Sequence, residues 1–187
     1  MVNIDAAFLN SLRSIDIHDY PTFIETGTYY GQTTFAMEPL FKTIHTIEIK
    51  EKFYKNVKNY YGGNKIHFHL GDSVSVFEQL LPTLTGNAIF FLDGHWSAGD
   101  TGRGVKDCPL IEELQVIMKS FRGEAVLIID DRRLFGKGPR FNNEICNWED
   151  ISDDAVLTTV SSRSSKHYYL PSIHHPKDRM IIHLNPL

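Results

Sequence analysis

Side chains capable of acid–base chemistry follow a hydrophobic run in the stretch AIFFLDGHWSAGD, residues 88–100. Asp93 ends that run, and His95 and Trp96 come shortly after it. A positioned carboxylate or imidazole can take the proton of a hydroxyl group, and histidine has an ordinary pKa near neutrality. We therefore interpret Asp93 and His95 as candidate catalytic residues and as alternatives for the base. Trp96 is a candidate ligand contact, and a core-covering role for its ring stays open.

A second acidic pair, Asp130 and Asp131, follows the apolar run at 125–130. If the two runs form neighbouring parallel strands, their ends bring Asp93 close to this pair. Three close carboxylates repel one another unless a cation or a proton joins them, and oxygen-rich clusters suit a hard divalent ion such as Mg²⁺. The sequence thus predicts a metal site for Mg²⁺ or Mn²⁺ at Asp93, Asp130 and Asp131, with turn capping by one aspartate as the alternative.

A glycine-containing loop follows an earlier run, TFIETGTYYGQTT, in which Glu25 lies near the end of the apolar part. Gly27 allows a tight turn and a close approach to a ligand, and Gly31 is placed to begin the next helix. Thr33 and Thr34 can cap that helix or bind an anion at its N-terminus. A plain strand-to-helix turn is the alternative interpretation.

Further acids end the next two apolar runs. Glu48 follows Gly27 by 21 positions, close to the spacing of about 20 at which an acidic residue holds a ribose in nucleotide-binding α/β folds. Asp72 and Ser73 end the third run. Glu25, Glu48 and Asp72 then form an acidic row, which suits a cofactor with ribose hydroxyls, an amine and a positive charge. NAD and FAD are disfavoured because the loop lacks the G-x-G-x-x-G spacing.

These residues need elements that hold them at one edge of a sheet. Strands are predicted at 22–26, 43–49, 65–71, 88–93 and 125–130, alternating with helices at 31–41, 50–62, 73–84 and 108–121. This alternation predicts an α/β fold with a doubly wound, mostly parallel sheet. Runs at 155–161 and 178–184 add a C-terminal antiparallel strand pair. We expect one domain over residues 1–187, with a helical extension at 1–20 that carries an amphipathic helix at 6–15.

Composition restricts the function classes. The chain has 187 residues, 42% of them hydrophobic and 22% charged, and a formal net charge of −4. Without clustered Lys and Arg, nucleic acid is not favoured as a partner. No apolar run reaches membrane-spanning length, and the N-terminus lacks a secretory pattern. Two isolated cysteines fit a reducing compartment. We expect a cytoplasmic protein without membrane or nucleic-acid partners, and a homo-oligomer stays open.

Together, the glycine loop, the acid after the second run and GDS after the third resemble motifs of class I S-adenosylmethionine-dependent methyltransferases, over roughly residues 20–185. The resemblance implies a seven-stranded Rossmann-like fold and S-adenosyl-L-methionine as the cofactor. It places the methionine part at Gly27, the ribose at Glu48 and the adenine amine at Asp72. The implied cofactor-binding residues are Glu25, Thr26, Gly27, Thr28, Gly31, Thr33, Thr34, Glu48, Asp72, Ser73 and Asp93.

Asp93, Asp130 and Asp131 match one branch of that family, the metal-dependent sugar O-methyltransferases of the macrocin and mycinamicin type, whose aspartates hold Mg²⁺. His95 departs from that branch and is closer to related bacterial and viral methyltransferase-like proteins. The resemblance implies transfer of a methyl group to a hydroxyl of a sugar or glycan. A phenol or other metabolite as acceptor, and a non-catalytic cofactor-binding protein, are the alternatives.

Two polar loops supply candidate acceptor contacts beside His95 and Trp96. The loop at 97–107 contains Asp100 and Arg103, and the loop at 130–141 contains Arg132. We predict that these three side chains meet the hydroxyls or the anionic part of the acceptor. Basic residues of the second loop could equally offset the neighbouring aspartates.

Overall fold

The computed structural model of the chain describes residues 4–187, apart from the side chain of Phe141. The helices are α1 (Ala6–Asn10), α2 (Gln32–Met37), α3 (Glu51–Tyr60), α4 (Ser73–Leu80), α5 (Leu110–Ser120) and α6 (Asp153–Val160). The strands are β1 (Thr22–Thr26), β2 (Thr43–Glu48), β3 (Ile66–Leu70), β4 (Ala88–Leu92), β5 (Ala125–Ile129), β6 (Arg140–Phe141), β7 (Glu144–Ile145), β8 (Ser164–Leu170) and β9 (Arg179–Leu184).

Seven strands form one sheet in the order β3-β2-β1-β4-β5-β9-β8, while β6 and β7 form a separate hairpin. The pairs among β1 to β5 are parallel, and β9 runs antiparallel to both β5 and β8. Thr26 pairs with both Ile47 and Leu92, so the carboxyl ends of β1, β2 and β4 lie level. This confirms the predicted fold. The order reverses between β1 and β4, where ligands bind in such sheets.

The central strands are continuously apolar because both faces of the sheet are covered. One face carries Phe90 and packs against Phe77 of α4 and Leu114 of α5. The opposite face carries Phe91 and packs against Met37 of α2. A rigid, doubly covered sheet thus holds the polar strand ends in place.

The segment 155–161 is not the predicted strand: it lies largely in α6, and the partner of β9 is β8 instead. Ser152 caps α6 by accepting a hydrogen bond from the Ala155 amide at 3.1 Å. Val156 and Val160 lie one helical turn apart and are buried. The β-branched residues suggested a strand, but capping and the burial of this face favour a helix.

The N-terminal helix is shorter than predicted. It covers only Ala6–Asn10 and is capped by Asp5, and a short 3-10 turn at Ile17–Asp19 follows. Leu9 and Leu12 are buried on the same sheet face as Met37, as expected for a piece packed against the sheet. Within residues 4–187, none of the helices is both long and apolar enough to cross a bilayer.

Candidate active site

A cavity of about 420 Å³ opens at the carboxyl ends of β1 to β4. It brings together eight of the eleven predicted cofactor residues, namely Glu25, Gly27, Thr28, Thr33, Glu48, Asp72, Ser73 and Asp93. His95 and Trp96, predicted for catalysis and substrate, also line it. Its size suits a small ligand. Thr26, Gly31 and Thr34 are buried and are not among the residues that line the cavity.

Gly27, in the loop after β1, packs closely against the backbone at the end of β4. Its φ is +86°, and a Cβ there would lie 2.4 Å from the carbonyl oxygen of Asp93. The amide of Asp93 in turn donates a hydrogen bond to Thr26 Oγ1 at 3.3 Å. Only glycine allows this close contact without strain, so the loop and the candidate catalytic aspartate are positioned together.

A buried threonine network holds Glu25. Thr46 Oγ1 donates to Glu25 Oε2 at 2.8 Å, and Thr34 donates to the same oxygen. Thr34 therefore binds a carboxyl group rather than capping α2, whose N-cap residue is Gly31. Burial raises the pKa of Glu25 to about 8, against the opposing effect of the two threonine hydroxyls. Glu25 thus carries a proton at neutral pH.

Glu48 and Asp72 form the polar wall at the ends of β2 and β3. Glu48 accepts hydrogen bonds from the amides of Tyr29 and Lys50, each at 2.8 Å, which fixes the carboxylate in the cavity wall. Burial raises its pKa, although these amides favour the charged form. Asp72 Oδ1 caps α4 by accepting from the amides of Val74 and Ser75. Each carboxylate keeps further acceptor capacity for a ligand.

The ends of β4 and β5 meet through His95. Its Nε2 lies 3.2 Å from Asp93 Oδ1 and 3.0 Å from Asp131 Oδ2, while Nδ1 lies 3.0 Å from Ser97 Oγ. Asp131 has a left-handed φ of 57°, a conformation in which few residues other than glycine are found and which often marks functional sites. Trp148 packs edge-on against the imidazole, at 4.6 Å between ring centroids.

The prediction of a near-neutral pKa for His95 is wrong. Burial opposes its charge, but the contacts with Asp131 and Asp93 outweigh that penalty and raise the pKa to about 10. The imidazole is therefore protonated at neutral pH and cannot accept a further proton. Between the two candidate bases, the structure favours Asp93.

The predicted metal set of Asp93, Asp130 and Asp131 is divided between two groups. Within the described residues, the groups with converging ligand atoms are Asp93, His95 and Asp131, and Asp130, Asp131 and Asp178. Asp130 Oδ1 faces Arg179 Nε at 3.4 Å, and burial raises its pKa to about 7. Arg133 bridges Asp131 and Asp178, so the basic loop does offset its own aspartates.

The loop at 97–107 covers the part of the cavity beside Glu48 and Asp72 rather than standing apart as an acceptor contact. Asp100 binds Lys50 Nζ at 2.5 Å and Lys52 Nζ at 2.8 Å. A Cβ at Gly102 would lie 2.3 Å from the Ile49 side chain and 3.3 Å from Glu48 Oε1. The loop therefore passes directly over the carboxylate that the sequence assigns to a ribose.

The basic candidates for acceptor binding have partners within the protein. The Arg103 guanidinium lies 4.0 Å from the centroid of Trp96 and binds Asp107 at 2.7 Å. Arg132 binds Asp153 and lies over the ring of Tyr169. Trp96 is both buried and part of the cavity wall, so its two interpretations are compatible. Arg132 is held on the far side of β5, toward α6.

Sequence analysis missed Glu113, a carboxyl group behind the end of β4 that is only 1% exposed. Burial raises its pKa to about 7, while hydrogen bonds with Ser73 and Thr26 favour its charged form. The helical spacing could have revealed Glu113, because it lies three residues after Leu110 and four before Ile117 and therefore on the same apolar helix face. An acid on such a buried face needs polar partners.

An aromatic edge of the cavity was also missed. Tyr29 and Tyr30 are 44% and 54% exposed, and both rings pack against Phe53, with centroids 4.6 and 5.2 Å away. All three residues line the cavity. These aromatic residues have no charged group that would have marked them as site residues in the sequence. They come together only because the fold places α3 beside the glycine loop.

Comparison with solved structures identifies the architecture. A S-adenosylmethionine-dependent methyltransferase from Clostridium acetobutylicum gives a TM-score of 0.57 at 9% identity, covering 88% of this chain and 83% of that one. An rRNA methylase from Streptococcus thermophilus gives 0.53 at 17%, covering 90% and 88%. Human methyltransferase-like protein 13 in complex with SAH gives 0.55 at 12%, covering 91% and 74%.

These likenesses show that the chain has the class I methyltransferase fold. No protein-family model matches the sequence, and no curated protein matches it significantly. At 9–17% sequence identity these likenesses concern the fold alone. The function of the site therefore depends on the residues that this chain places there.

Proposed function

We propose that the chain is an S-adenosylmethionine-dependent O-methyltransferase that acts on a hydroxyl group of a sugar or glycan. One observation carries the proposal: a single cavity joins the acidic wall of Glu48 and Asp72 to Asp93 and His95. The first pair suits a nucleoside, and the second suits activation of a hydroxyl. The fold supports it, since structures with this fold include methyltransferases and one bound to SAH.

The cofactor would lie along the ends of β1 to β3. The Glu48 carboxylate, held by two amides, would accept hydrogen bonds from the ribose hydroxyls. Ile49 and Phe53 supply apolar wall beside it, as a purine ring requires, and Asp72 would accept from an exocyclic amine. The acidic surroundings also favour the positive sulfonium.

Proton transfer falls to Asp93. When bound, S-adenosylmethionine would supply an electrophilic methyl group, and its sulfur would leave as a neutral thioether once the acceptor oxygen bonds to the methyl carbon. Asp93 accepts the hydroxyl proton, and the adjacent His95 imidazolium, 3.2 Å away, fixes the carboxylate and offsets its charge. The contact of Gly27 with Asp93 aligns the two halves of the site. Alignment of this kind lowers the barrier without further chemical groups.

The residues present could hold a divalent metal, but with a different set of ligands from the predicted one. Nε2 of His95 is buried and makes no hydrogen bond of good geometry, yet it converges with oxygens of Asp93 and Asp131. A ligand set of one nitrogen and two oxygens suits Mn²⁺ or another transition metal at least as well as Mg²⁺. A metal held by these residues would replace the proton on His95 and polarise the acceptor hydroxyl.

The acceptor side of the cavity has mixed character. Trp96 and Ser97 line the cavity next to His95, and the Ser97 hydroxyl gives this part of the wall a polar group, which favours a hydroxylated acceptor. The exposed rings of Tyr29 and Tyr30 favour a second candidate, a flat phenolic acceptor.

Transfer of a labelled methyl group tests the proposal. The chain is incubated with labelled S-adenosylmethionine and two acceptor panels, one of sugars and sugar nucleotides and one of phenols. We expect label on a sugar hydroxyl with wild type and none with Asp93→Asn. Label on phenols alone would support the second candidate. Cofactor binding without transfer to either panel would contradict a catalytic role.

A further inference from the structure

Three histidines lie together at the edge of the sheet, away from the cavity. His45 is on β2, and His67 and His69 are on the edge strand β3. In the parallel register His45 pairs with His67, and Ile47 pairs with His69. Side chains two residues apart on a strand share a face. All three imidazoles therefore project from the face of the sheet that also carries Ile47 and α4.

The rings are already close to one another. His45 Nδ1 lies 3.0 Å from His69 Nε2, and the rings of His45 and His67 are stacked with centroids 4.9 Å apart. His45 is 7% exposed, His69 is half-buried, and His67 is exposed at the sheet edge. The cluster thus has a fixed inner ligand and an outer edge that an ion can reach.

We propose that His45, His67 and His69 form a binding site for a divalent transition metal, with Zn²⁺ as the ion. Imidazole nitrogen is a preferred ligand of Zn²⁺. Bonds of about 2.0–2.1 Å place two ligands of a tetrahedral site roughly 3.3 Å apart, close to the 3.0 Å between His45 Nδ1 and His69 Nε2. The ring nitrogens of His67 do not converge with this pair, so a change of side-chain torsion at the exposed His67 is needed to supply the third ligand, and water completes the site.

The contact between His45 and His69 also provides a nitrogen atom that can bind a metal. A hydrogen bond between two imidazoles needs one ring nitrogen with an available lone pair, and that nitrogen is the atom a metal binds. The His-x-His spacing on one strand, with a third histidine in register on the next, places three imidazoles on one face of the sheet. A bound ion would join the edge strand β3 to β2 and stabilise the native state over the unfolded chain.

Zinc titration of the metal-free protein tests this site. We would follow Zn²⁺ binding by calorimetry, the melting temperature with and without Zn²⁺, and the visible absorption of four-coordinate Co²⁺ as a zinc substitute. The variants are the double substitution His67→Gln/His69→Gln and, as a matched control, His167→Gln on the edge strand β8. A third variant, His95→Gln, separates this site from the cavity.

We expect wild type, His167→Gln and His95→Gln to share a Zn²⁺ equivalent, a raised melting temperature and a tetrahedral Co²⁺ spectrum. The double variant should lose that equivalent, with a fall in affinity beyond the ~10–100-fold that loss of an outer-shell partner causes. Equal binding by wild type and the double variant, absence of binding, or loss of all binding in His95→Gln would overturn the proposal. The result is independent of methyl transfer.

Discussion

His95 Nε2 lies 3.0 Å from Asp131 Oδ2, so the ends of β4 and β5 are joined by a partly buried ion pair. Asp93 completes the contact from the other side of the ring at 3.2 Å. The imidazolium occupies the place between two carboxylates that a cation would otherwise fill. This relationship turns His95 from a candidate base into a group that positions Asp93, and it links the predicted metal site to the predicted base.

Replacing Asp93 with Asn should remove the base while leaving the cofactor wall intact. General-base catalysis typically contributes ~100- to 10,000-fold, so we expect kcat to fall by about that factor with little change in cofactor affinity. Steady-state kinetics together with calorimetry check both quantities. Asp154→Asn, in the first turn of α6, is the control. A kcat close to that of wild type would exclude Asp93 as the base.

Gly102→Ala should weaken cofactor binding by displacing the loop over Glu48. The new Cβ would lie 2.3 Å from Ile49, and strain of about 1–3 kcal/mol from such overpacking corresponds to roughly 5- to 150-fold in affinity. Calorimetric titration with SAH measures the loss. Gly62→Ala is the matched control because a Cβ at that position would point into open space. Equal affinities for the two variants would show that the loop does not enclose the ligand.

Glu25 should make the stability of the protein depend on pH. Its pKa rises from an ordinary 4.5 to about 8 through burial, so the folded chain holds this proton more tightly than the unfolded chain. The resulting stabilisation is complete below about pH 4.5 and is lost as the pH rises to about 8.

Glu25→Gln keeps an acceptor for the threonine hydroxyls but does not titrate. Between pH 4.5 and 8, the free energy of unfolding of wild type should therefore fall relative to this variant, by on the order of 4 kcal/mol. Urea unfolding at several pH values measures the difference. Parallel profiles would mean that Glu25 is ionised in the folded protein.

Chelation tests the metal part of the proposed function. If a metal replaces the proton on His95, EDTA should suppress turnover and Mn²⁺ or Mg²⁺ should restore it, because Asp93, His95 and Asp131 converge on one point. The same response in His67→Gln/His69→Gln would assign the effect to the cavity rather than to the histidine cluster. Full turnover in EDTA would leave activation of the hydroxyl to Asp93 beside the His95 imidazolium.

Strand ends were predictable because the apolar runs of a doubly covered sheet are continuous and end in acids. Glu48, Asp72 and Asp93 were therefore found from pattern alone. The choice of Asp131 over Asp130 beside His95 was not predictable, since the side-chain direction depends on a left-handed turn at Asp131. The position of the loop carrying Asp100 was also hidden, because its lysine partners are about 50 residues earlier in the chain.

The cofactor assignment at Glu48 is tested most directly by calorimetric titration of SAH into wild type, Glu48→Ala and Glu51→Ala. Glu51 is an exposed acid at the start of α3 that pairs with Lys55, so its variant controls for loss of charge nearby. We predict SAH binding by wild type and Glu51→Ala and its loss in Glu48→Ala. Equal SAH affinity in all three proteins, or none in wild type, would contradict the assignment of this cavity to the cofactor.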